Sequence, residues 1–257
     1  MKKIVTLFIA LVASFGTVFA AGGACGDNLT WNLSHYHLLV DGIGSMPDFL
    51  YGGAPWGEYR KSVRRLDMSD GITNIGKAAF YDCSNLTYVI IPNSITSIGE
   101  GAFYECSGLE TLIMSNSVTS IGRYAFEGCI VLTSITIPES VIEIGSDAFY
   151  GCTGLTSITC EATSPPTCGE TVFYEIDKSS IPLYVPAESI EAYKAADQWK
   201  DFKRILPLST TGSEEMTNDH GSADRQKLQT TNKFLRNGVM YILRDGKTYN
   251  IQGAQAE

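Results

Sequence analysis

Residues 117–141 read SVTSIGRYAFEGCIVLTSITIPESV, and the pattern of this stretch recurs along the chain every 23 residues. Ile-Gly pairs stand at 75–76, 98–99, 121–122 and 144–145. Ala-Phe pairs follow at 79–80, 102–103, 125–126 and 148–149, and then come Cys83, Cys106, Cys129 and Cys152. A fixed period of this length predicts a solenoid, in which each unit buries its apolar face only against its neighbours.

Each unit is predicted to contain three short elements. Leu132–Pro138 alternates apolar and polar residues, which indicates a strand that ends at the proline. The β-branched stretch Val141–Ile144 predicts a second extended segment, and Gly145 is expected to occupy a positive-φ turn. Ser146–Cys152 carries Ala, Phe and Cys on one face, as a short helix would. The predicted fold class is therefore an α/β repeat of strand, extended segment and short helix.

The first residues have the pattern of a secretory signal peptide. Lys2 and Lys3 precede the apolar run Ile4–Phe15, and small residues then mark a cleavage site after Ala20. The alternative to simple cleavage is acylation of Cys25. The apolar run is shorter than the ~20 residues that a membrane-spanning helix needs, and no later stretch is long enough. We therefore expect an exported protein, extracellular or associated with the cell surface, without a transmembrane segment after cleavage.

The rest of the chain divides by composition. Polar and charged residues with few apolar ones predict a flexible linker after the repeats, and two apolar runs flank the turn signal Asp245-Gly246. The predicted parts are a signal peptide (1–20), an N-terminal cap with a β-hairpin (21–61), four full repeats with a degenerate fifth (62–175), a strand-helix C-terminal cap (176–208), a linker (209–232) and a C-terminal β-hairpin tail (233–257).

Charge and composition exclude several classes of partner. The formal net charge is −9, which repels phosphate backbones, so we expect no nucleic-acid partner. The sequence has no phosphate-binding loop and no nucleotide fingerprint, so no cofactor is predicted. Nucleophilic catalysis needs a Ser or Cys beside a His and an acid, and the chain has only His35, His37 and His220. The prediction is a non-enzymatic protein.

The seven cysteines have different predicted roles. A column of in-phase residues in a solenoid is a line, and a line of thiols cannot surround a metal ion. We therefore predict no metal site, and a structural role for the four cysteines of the column, buried in the core. Cys160 and Cys168 bracket the irregular Pro165-Pro166 loop and are the predicted disulfide pair. The sequence leaves the pairing state of Cys25 open.

The outward-facing positions of the first strand in each unit are the candidate binding face. Tyr88, Ile90 and Ile113 form an apolar and aromatic spot among hydroxyl-bearing residues, and exposed apolar clusters mark partner sites. The alternative is a Thr- and Ser-rich sheet selected for strand propensity alone. The candidate residues are Arg65, Tyr88, Ile90, Glu110, Thr111, Ile113, Ser134, Thr136, Ser157 and Thr159.

The motif of residues 117–141 resembles the BspA-like leucine-rich repeats of secreted and surface proteins from bacteria of the Bacteroides and Prevotella type. CGDNLTW (25–31) is similar to the segment that precedes those repeats, and LYVPAESIEAYKAADQWKDF (183–202) to their usual ending. KFLRNGVMYILRDGKTYNIQG (233–253) resembles short tails with a type IX-like sorting role. The resemblance implies a right-handed leucine-rich-repeat solenoid and adhesion-type binding, with the tail contacting the secretion machinery.

Two functions from different classes remain after these exclusions. The leading hypothesis is an adhesin-like binding protein whose repeat sheet contacts a protein or glycan at the cell surface, host or microbial. The alternative is a structural envelope component without a soluble ligand. A hydrolase would need a catalytic group at His35 or His37. The sequence does not identify the ligand or the oligomeric state.

Overall fold

The computed structural model describes residues 21–208 in full and the backbone of three further strands. The predicted signal peptide (1–20), the linker up to residue 231 and the Asp245-Gly246 turn lie outside the described residues. The strands are β1 (Ala21–Ala24), β2 (Leu29–Ser34), β3 (His37–Gly42), β4 (Gly44–Ser45), β5 (Arg65–Met68), β6 (Ile72–Ile75), β7 (Tyr88–Ile90), β8 (Ser97–Ile98), β9 (Thr111–Ile113), β10 (Ser120–Ile121), β11 (Ser134–Ile137), β12 (Glu143–Ile144), β13 (Ser157–Cys160), β14 (Thr167–Cys168), β15 (Pro182–Val185), β16 (Arg204–Pro207), β17 (Asn232–Arg236), β18 (Val239–Arg244) and β19 (Lys247–Asn250). The helical segments are short: 3-10 helices at Gly57–Ser62, Ala187–Ser189 and Trp199–Asp201, and the α-helix α1 at Ile190–Ala195.

Successive repeats stack as parallel strands. The short strands β4, β6, β8, β10, β12 and β14 form one sheet, in which Ile121 lies beside both Ile98 and Ile144. The longer strands lie on the other side of the apolar core, with Ile135 beside Ile158. Residues paired in this way are 23 apart, so the predicted solenoid and its period are confirmed.

The longer strands form two sheets instead of one. The first has the order β1-β2-β3-β5-β7-β9, and the second has the order β11-β13-β15-β16. Within residues 21–208, no backbone ladder joins β9 to β11. The strands β9 and β11 are still close neighbours in the stack, so the candidate binding face continues across this break in the hydrogen bonding.

The third element of each repeat is a pair of turns and not the predicted short helix. Each repeat forms one coil of the solenoid. The Phe103 amide donates to the Ala125 carbonyl of the next coil at 2.8 Å, whereas the Cys106 amide donates to the Phe103 carbonyl of its own coil at 3.2 Å. Gly101 and Glu105 both have positive φ, at 57° and 59°. An α-helix needs consecutive amides bonded four residues back along its own turn. Here alternate amides bond to the neighbouring coil, so a helix cannot form.

Glycine precedes each of these turns because the coils approach each other closely. Gly145 does not have the positive φ expected from the sequence. A Cβ atom added to it would lie 2.4 Å from the Arg123 amide nitrogen of the previous coil. The same crowding, with backbone atoms at 2.8 Å or less, recurs at Gly76, Gly99, Gly122 and Gly169.

A column of stacked aromatic rings runs along the core. Phe103, Phe126 and Phe149 stack nearly parallel, with centroids 5.3 and 5.4 Å apart. Trp56 stacks on the column at one end, through Phe80, and Trp199 packs at the other, against Phe173. The Trp56 and Trp199 ring nitrogens each donate to a backbone carbonyl, at 2.7 and 2.9 Å. The buried tryptophans therefore keep a polar partner, which a buried N–H group needs.

The ends of the solenoid have different structures. β2 and β3 form an antiparallel hairpin with Trp31 beside Val40, and β1 adds an outer strand. At the other end the helix of the predicted strand-helix cap is short, because Ala196 is extended and Gln198 has a φ of 67°. β16 is an additional strand beside β15. A protective capping role for both ends stays a prediction.

The tail contains one more strand than the predicted hairpin. β18 and β19 are antiparallel, with Arg244 beside Lys247. β17 pairs with the other edge of β18, giving a three-stranded sheet.

Candidate functional site

The outward-facing positions of the repeat strands alternate with buried ones. On β7, Val89 is buried, Tyr88 is half-buried and Ile90 is 39% exposed. Burial raises the pKa of the Tyr88 hydroxyl, and the charge of Arg65 opposes this effect. All ten residues of the predicted binding face are exposed or half-buried: Arg65, Tyr88, Ile90, Glu110, Thr111, Ile113, Ser134, Thr136, Ser157 and Thr159. A ligand can therefore reach each of them.

Ile90 and Ile113 are direct neighbours on this face. They pair across β7 and β9, and they line a cavity of about 330 Å³ at the carboxyl ends of these strands. Ile91 and Met114 lie deeper in the same cavity, and its remaining lining residues are Asn93, Ser115 and Asn116. An apolar floor with a few polar groups at the edge is the usual character of a binding cavity.

The polar residues of the cavity were not predicted from the sequence. Asn93 and Asn116 occupy equivalent positions 23 residues apart, each three residues after the last residue of its strand. This 23-residue spacing can be recognised in the sequence alone. Both residues lie beyond the ends of the strands, so the alternation of outward-facing strand positions does not identify them.

On β11 and β13, the candidate binding face consists of serine and threonine side chains. Ser134 pairs with Ser157, and Thr136 with Thr159, across β11 and β13. Because β9 and β11 are not joined by a ladder, these four residues belong to a different sheet from the isoleucine pair.

Charged residues form the N-terminal end of the face. His37 begins β3, directly after the turn at His35 and Tyr36. Its Nε2 lies 2.8 Å from Asp67 Oδ2, and Arg65 contacts the same carboxylate at 3.0 Å. Exposed ion pairs of this kind contribute little to stability, about 0–1 kcal/mol. In residues 21–208, no serine or cysteine side chain is hydrogen-bonded to His37, so the geometry does not form a nucleophile–base pair.

The four cysteines of the column lie fully inside the core. The thiols of Cys106 and Cys152 each donate to the carbonyl of a core phenylalanine, Phe80 and Phe126, at 3.2 Å. Burial raises the pKa of Cys83 to about 12, and the pKa values of Cys106 and Cys129 are also raised well above their ordinary value. A protonated, buried thiol is a packing group and a poor nucleophile or ligand.

Cys160 and Cys168 are free thiols in the structure and do not form the predicted disulfide. The Cys160 sulfur instead lies 3.1 Å from the Tyr193 hydroxyl, which donates to the Ala162 carbonyl at 2.8 Å. The spacing around Pro165-Pro166 did not reveal this third side chain, because Tyr193 is distant in sequence. Cys25 is also a buried thiol, and burial raises its pKa to about 11.

A β-solenoid of 23-residue coils with an exposed strand face defines the class of leucine-rich-repeat proteins. Residues 59–180 match, in six copies, the family model described as BspA type leucine rich repeat region. This part of the chain is therefore similar to leucine-rich-repeat regions of the BspA type.

Three solved structures are similar to the chain. The chain is similar to a leucine-rich repeat protein from Eubacterium ventriosum, with 23% identity and a TM-score of 0.56, over 67% of this chain and 45% of that one. It is also similar to a leucine-rich repeat protein from Bacteroides ovatus, with 27% identity and a TM-score of 0.46, over 67% and 42%. A third match is a leucine rich cell surface protein from Faecalibacterium prausnitzii, with 20% identity and a TM-score of 0.28, over 59% and 57%.

The chain spans less than half of the length of the first two of these proteins. The similarity to the Eubacterium ventriosum protein shows the fold. No curated protein matches the chain. Among the described residues, none of the helices has the length and apolar character that crossing a membrane requires.

Proposed function

We propose that the protein is an exported, adhesin-like binding protein that contacts a protein or glycan through the exposed repeat face. The observation that carries the proposal is the isoleucine pair of exposed Ile90 and half-buried Ile113, beside a cavity of about 330 Å³. Exposed apolar side chains at a cavity lose water contact when a partner covers them, and this favours association. The BspA-type repeats support the same class of function.

The surroundings of the isoleucine pair fit an interface. Tyr88 lies on the same strand, and Tyr and Arg are frequent among the residues that dominate binding energy. Arg65 lies beside Tyr88 across β5 and β7. Hydroxyl groups at Thr111 and Ser134 supply donors and acceptors around the apolar centre. We propose that the apolar pair gives affinity and that the polar residues select the partner.

Export is part of the proposal. The predicted signal peptide directs the chain out of the cytoplasm, and the tail contacts the secretion machinery that brings it to the cell surface. β1 begins at Ala21, directly after the predicted cleavage site, so cleavage there leaves the described sheet intact.

Binding to immobilised extracellular-matrix proteins and to a glycan array tests the proposal, using the mature chain from residue 21. The variant Ile90→Ser/Ile113→Ser should weaken binding by at least about tenfold, because it removes the apolar centre of the face. Ile142→Ser is the matched control, since Ile142 is 69% exposed and precedes the short strand β12. It should bind like the unmodified chain.

Equal binding by the double variant would contradict the proposed site. If no protein or glycan binds and the chain fractionates with the envelope, the alternative of a structural envelope component is favoured.

A further inference from the structure

A second surface lies along the turns of the first three repeats. Tyr81 and Tyr104 directly follow the core residues Phe80 and Phe103, and their rings stack with centroids 5.7 Å apart. Tyr124 meets the edge of Tyr104 at 6.3 Å. Tyr51, from the loop before the repeats, packs edge-on against both Tyr81 and Tyr104, at 5.1 and 5.9 Å. We name these four residues, Tyr51, Tyr81, Tyr104 and Tyr124, the tyrosine ledge.

The local backbone creates space for the tyrosine ledge. A Cβ atom on Gly101 would lie 2.9 Å from the Tyr51 ring, so glycine at this position lets the loop reach the turns. Tyr51 is 45% exposed and its neighbour Leu50 is 83% exposed, while the other three tyrosines are half-buried. The tyrosine ledge therefore presents aromatic surface to solvent in addition to packing against itself.

The ring faces of the tyrosine ledge already accept cations from the chain itself. The guanidinium of Arg123 lies 4.2 Å from the centroid of Tyr124, and the ammonium of Lys77 lies 5.8 Å from that of Tyr51. Such contacts are attractive because the face of an aromatic ring is negative. These rings therefore have the geometry for a cationic ligand group.

Carboxylates around the tyrosine ledge outnumber these two cations. Lys77 pairs with Glu100 at 2.7 Å, and Arg123 with Asp147 at 3.7 Å. Glu105 and Glu127 lie beside Tyr104 and give the surface an excess of negative charge. Burial raises the pKa of Glu127, and the charges of Asp147 and Glu105 raise it further. A cation placed here would relieve this repulsion between like charges.

We propose that the tyrosine ledge binds a cationic segment of a partner protein, with Arg or Lys side chains over the tyrosine rings and against Glu105 and Glu127. Guanidinium groups stack on aromatic faces and form paired hydrogen bonds to carboxylates, so arginine fits both parts of the surface. The excess negative charge favours such a segment over a neutral sugar. This surface lies on the turns, separate from the isoleucine pair of the repeat face, so each proposal can fail without the other.

Fluorescence anisotropy of a labelled oligoarginine peptide with the full mature chain tests the proposal. Glu105→Gln/Glu127→Gln should weaken binding by about tenfold, because the charge-assisted contacts are lost while the tyrosines and the fold are retained. Tyr81→Ala/Tyr104→Ala should weaken it comparably. Glu139→Gln/Glu143→Gln removes the same charge from exposed positions elsewhere and should change affinity by less than about twofold.

Three outcomes would overturn the proposal. The first is an equal loss of affinity in the Glu139→Gln/Glu143→Gln control, because binding would then depend only on net charge. The second is the absence of saturable binding by the peptide. The third is preferential binding of a labelled neutral oligosaccharide, with binding lost in Tyr81→Ala/Tyr104→Ala but retained in Glu105→Gln/Glu127→Gln.

Discussion

The rings of Phe126 and Phe149 lie 5.4 Å apart, with planes within 5° of parallel. Both rings are fully buried, and each belongs to a different coil. Contacts of this kind join one coil to the next, since a single coil is too small to bury its own apolar face. The stability of the solenoid therefore depends on each interface between neighbouring coils.

Phe126→Ala should lower the free energy of unfolding by about 3–5 kcal/mol, because it removes a buried ring from the centre of the column. Tyr150→Ala is the control, since Tyr150 is half-buried and stacks on Tyr174 outside the core. It should cost about 1 kcal/mol. Urea unfolding followed by circular dichroism measures both changes. A similar cost for the two variants would mean that the outer tyrosines contribute as much as the core.

Gly122→Ala and Gly151→Ala should have different costs for different reasons. A Cβ atom on Gly122 would lie 2.7 Å from the Glu100 amide nitrogen, and relieving this overlap should cost about 1–3 kcal/mol or more. Gly151 has a φ of 68°, but a Cβ atom there would have its nearest neighbour at 3.8 Å. The equivalent positions in other coils already hold Asp82, Glu105 and Glu175 with positive φ. Gly151→Ala should therefore cost about 1 kcal/mol.

Thermal or urea unfolding of both glycine variants provides the measurement. The reverse order of costs would show that backbone conformation and not the close approach of coils selects glycine in the Gly122 column.

A thiol titration should distinguish the folded chain from the unfolded one by the reactivity of their cysteines. Six of the seven cysteines are buried and Cys168 is half-buried, with a pKa that burial raises to about 12. Because the thiolate is the reactive form, the folded mature protein should react slowly with an aromatic disulfide reagent near neutral pH. In denaturant without reductant, all seven thiols should react. A count of five would instead indicate that Cys160 and Cys168 are joined in the purified protein.

Alkaline pH should destabilise the protein through Cys83. The unfolded thiol loses its proton near the ordinary pKa of 9.0, whereas the folded one retains it up to about 12. Between these values the folded chain binds more protons, so its stability is complete below pH 9 and falls as the pH rises. One such thiol contributes a slope of about 1.4 kcal/mol per pH unit.

Cys83→Ala should therefore show a shallower loss of stability between about pH 9 and about pH 11 than the unmodified chain. Urea unfolding at several pH values in this range gives the two slopes. Identical slopes would contradict a retained proton on Cys83.

Deleting residues 232–257 should retain the protein in the periplasm if the tail contacts the secretion machinery. Cell fractionation with immunoblotting measures the location. A deletion confined to residues 212–228 serves as the control, because it shortens the linker but keeps the tail strands β17, β18 and β19. Normal surface display of the tail deletion would remove the sorting role from the proposal.

The sequence predicted the period, the strands and the inward-facing residues because these depend on apolar columns such as Ile121, Phe126 and Leu132, which repeat with the coil. The turns after Gly122 were not predicted, because Ala, Phe and Cys at these spacings also fit a helical face. Only the hydrogen bonds to the neighbouring coil decide between the two structures.

The two proposed binding surfaces differ in the same respect. The isoleucine pair Ile90 and Ile113 was predicted because both residues lie at one repeating position. The tyrosine ledge was missed because Tyr51 comes from a loop outside the repeat, and its contact with Tyr104 depends on the space left by Gly101. A sequence repeat predicts columns of equivalent residues. It does not predict the contacts that a non-repeating loop makes with those columns.

The positions of the tryptophans give the molecule a separate optical signal at each end. Trp31 and Trp56 lie together at the amino-terminal end, with centroids 6.0 Å apart, and Trp199 lies at the other end. The chain has three tryptophans in total, so its intrinsic fluorescence reports fraying at the two termini and not opening of the central coils. Replacing Trp199, or both Trp31 and Trp56, with phenylalanine would leave tryptophan emission from one terminus alone, and the order in which a linear stack opens would become observable.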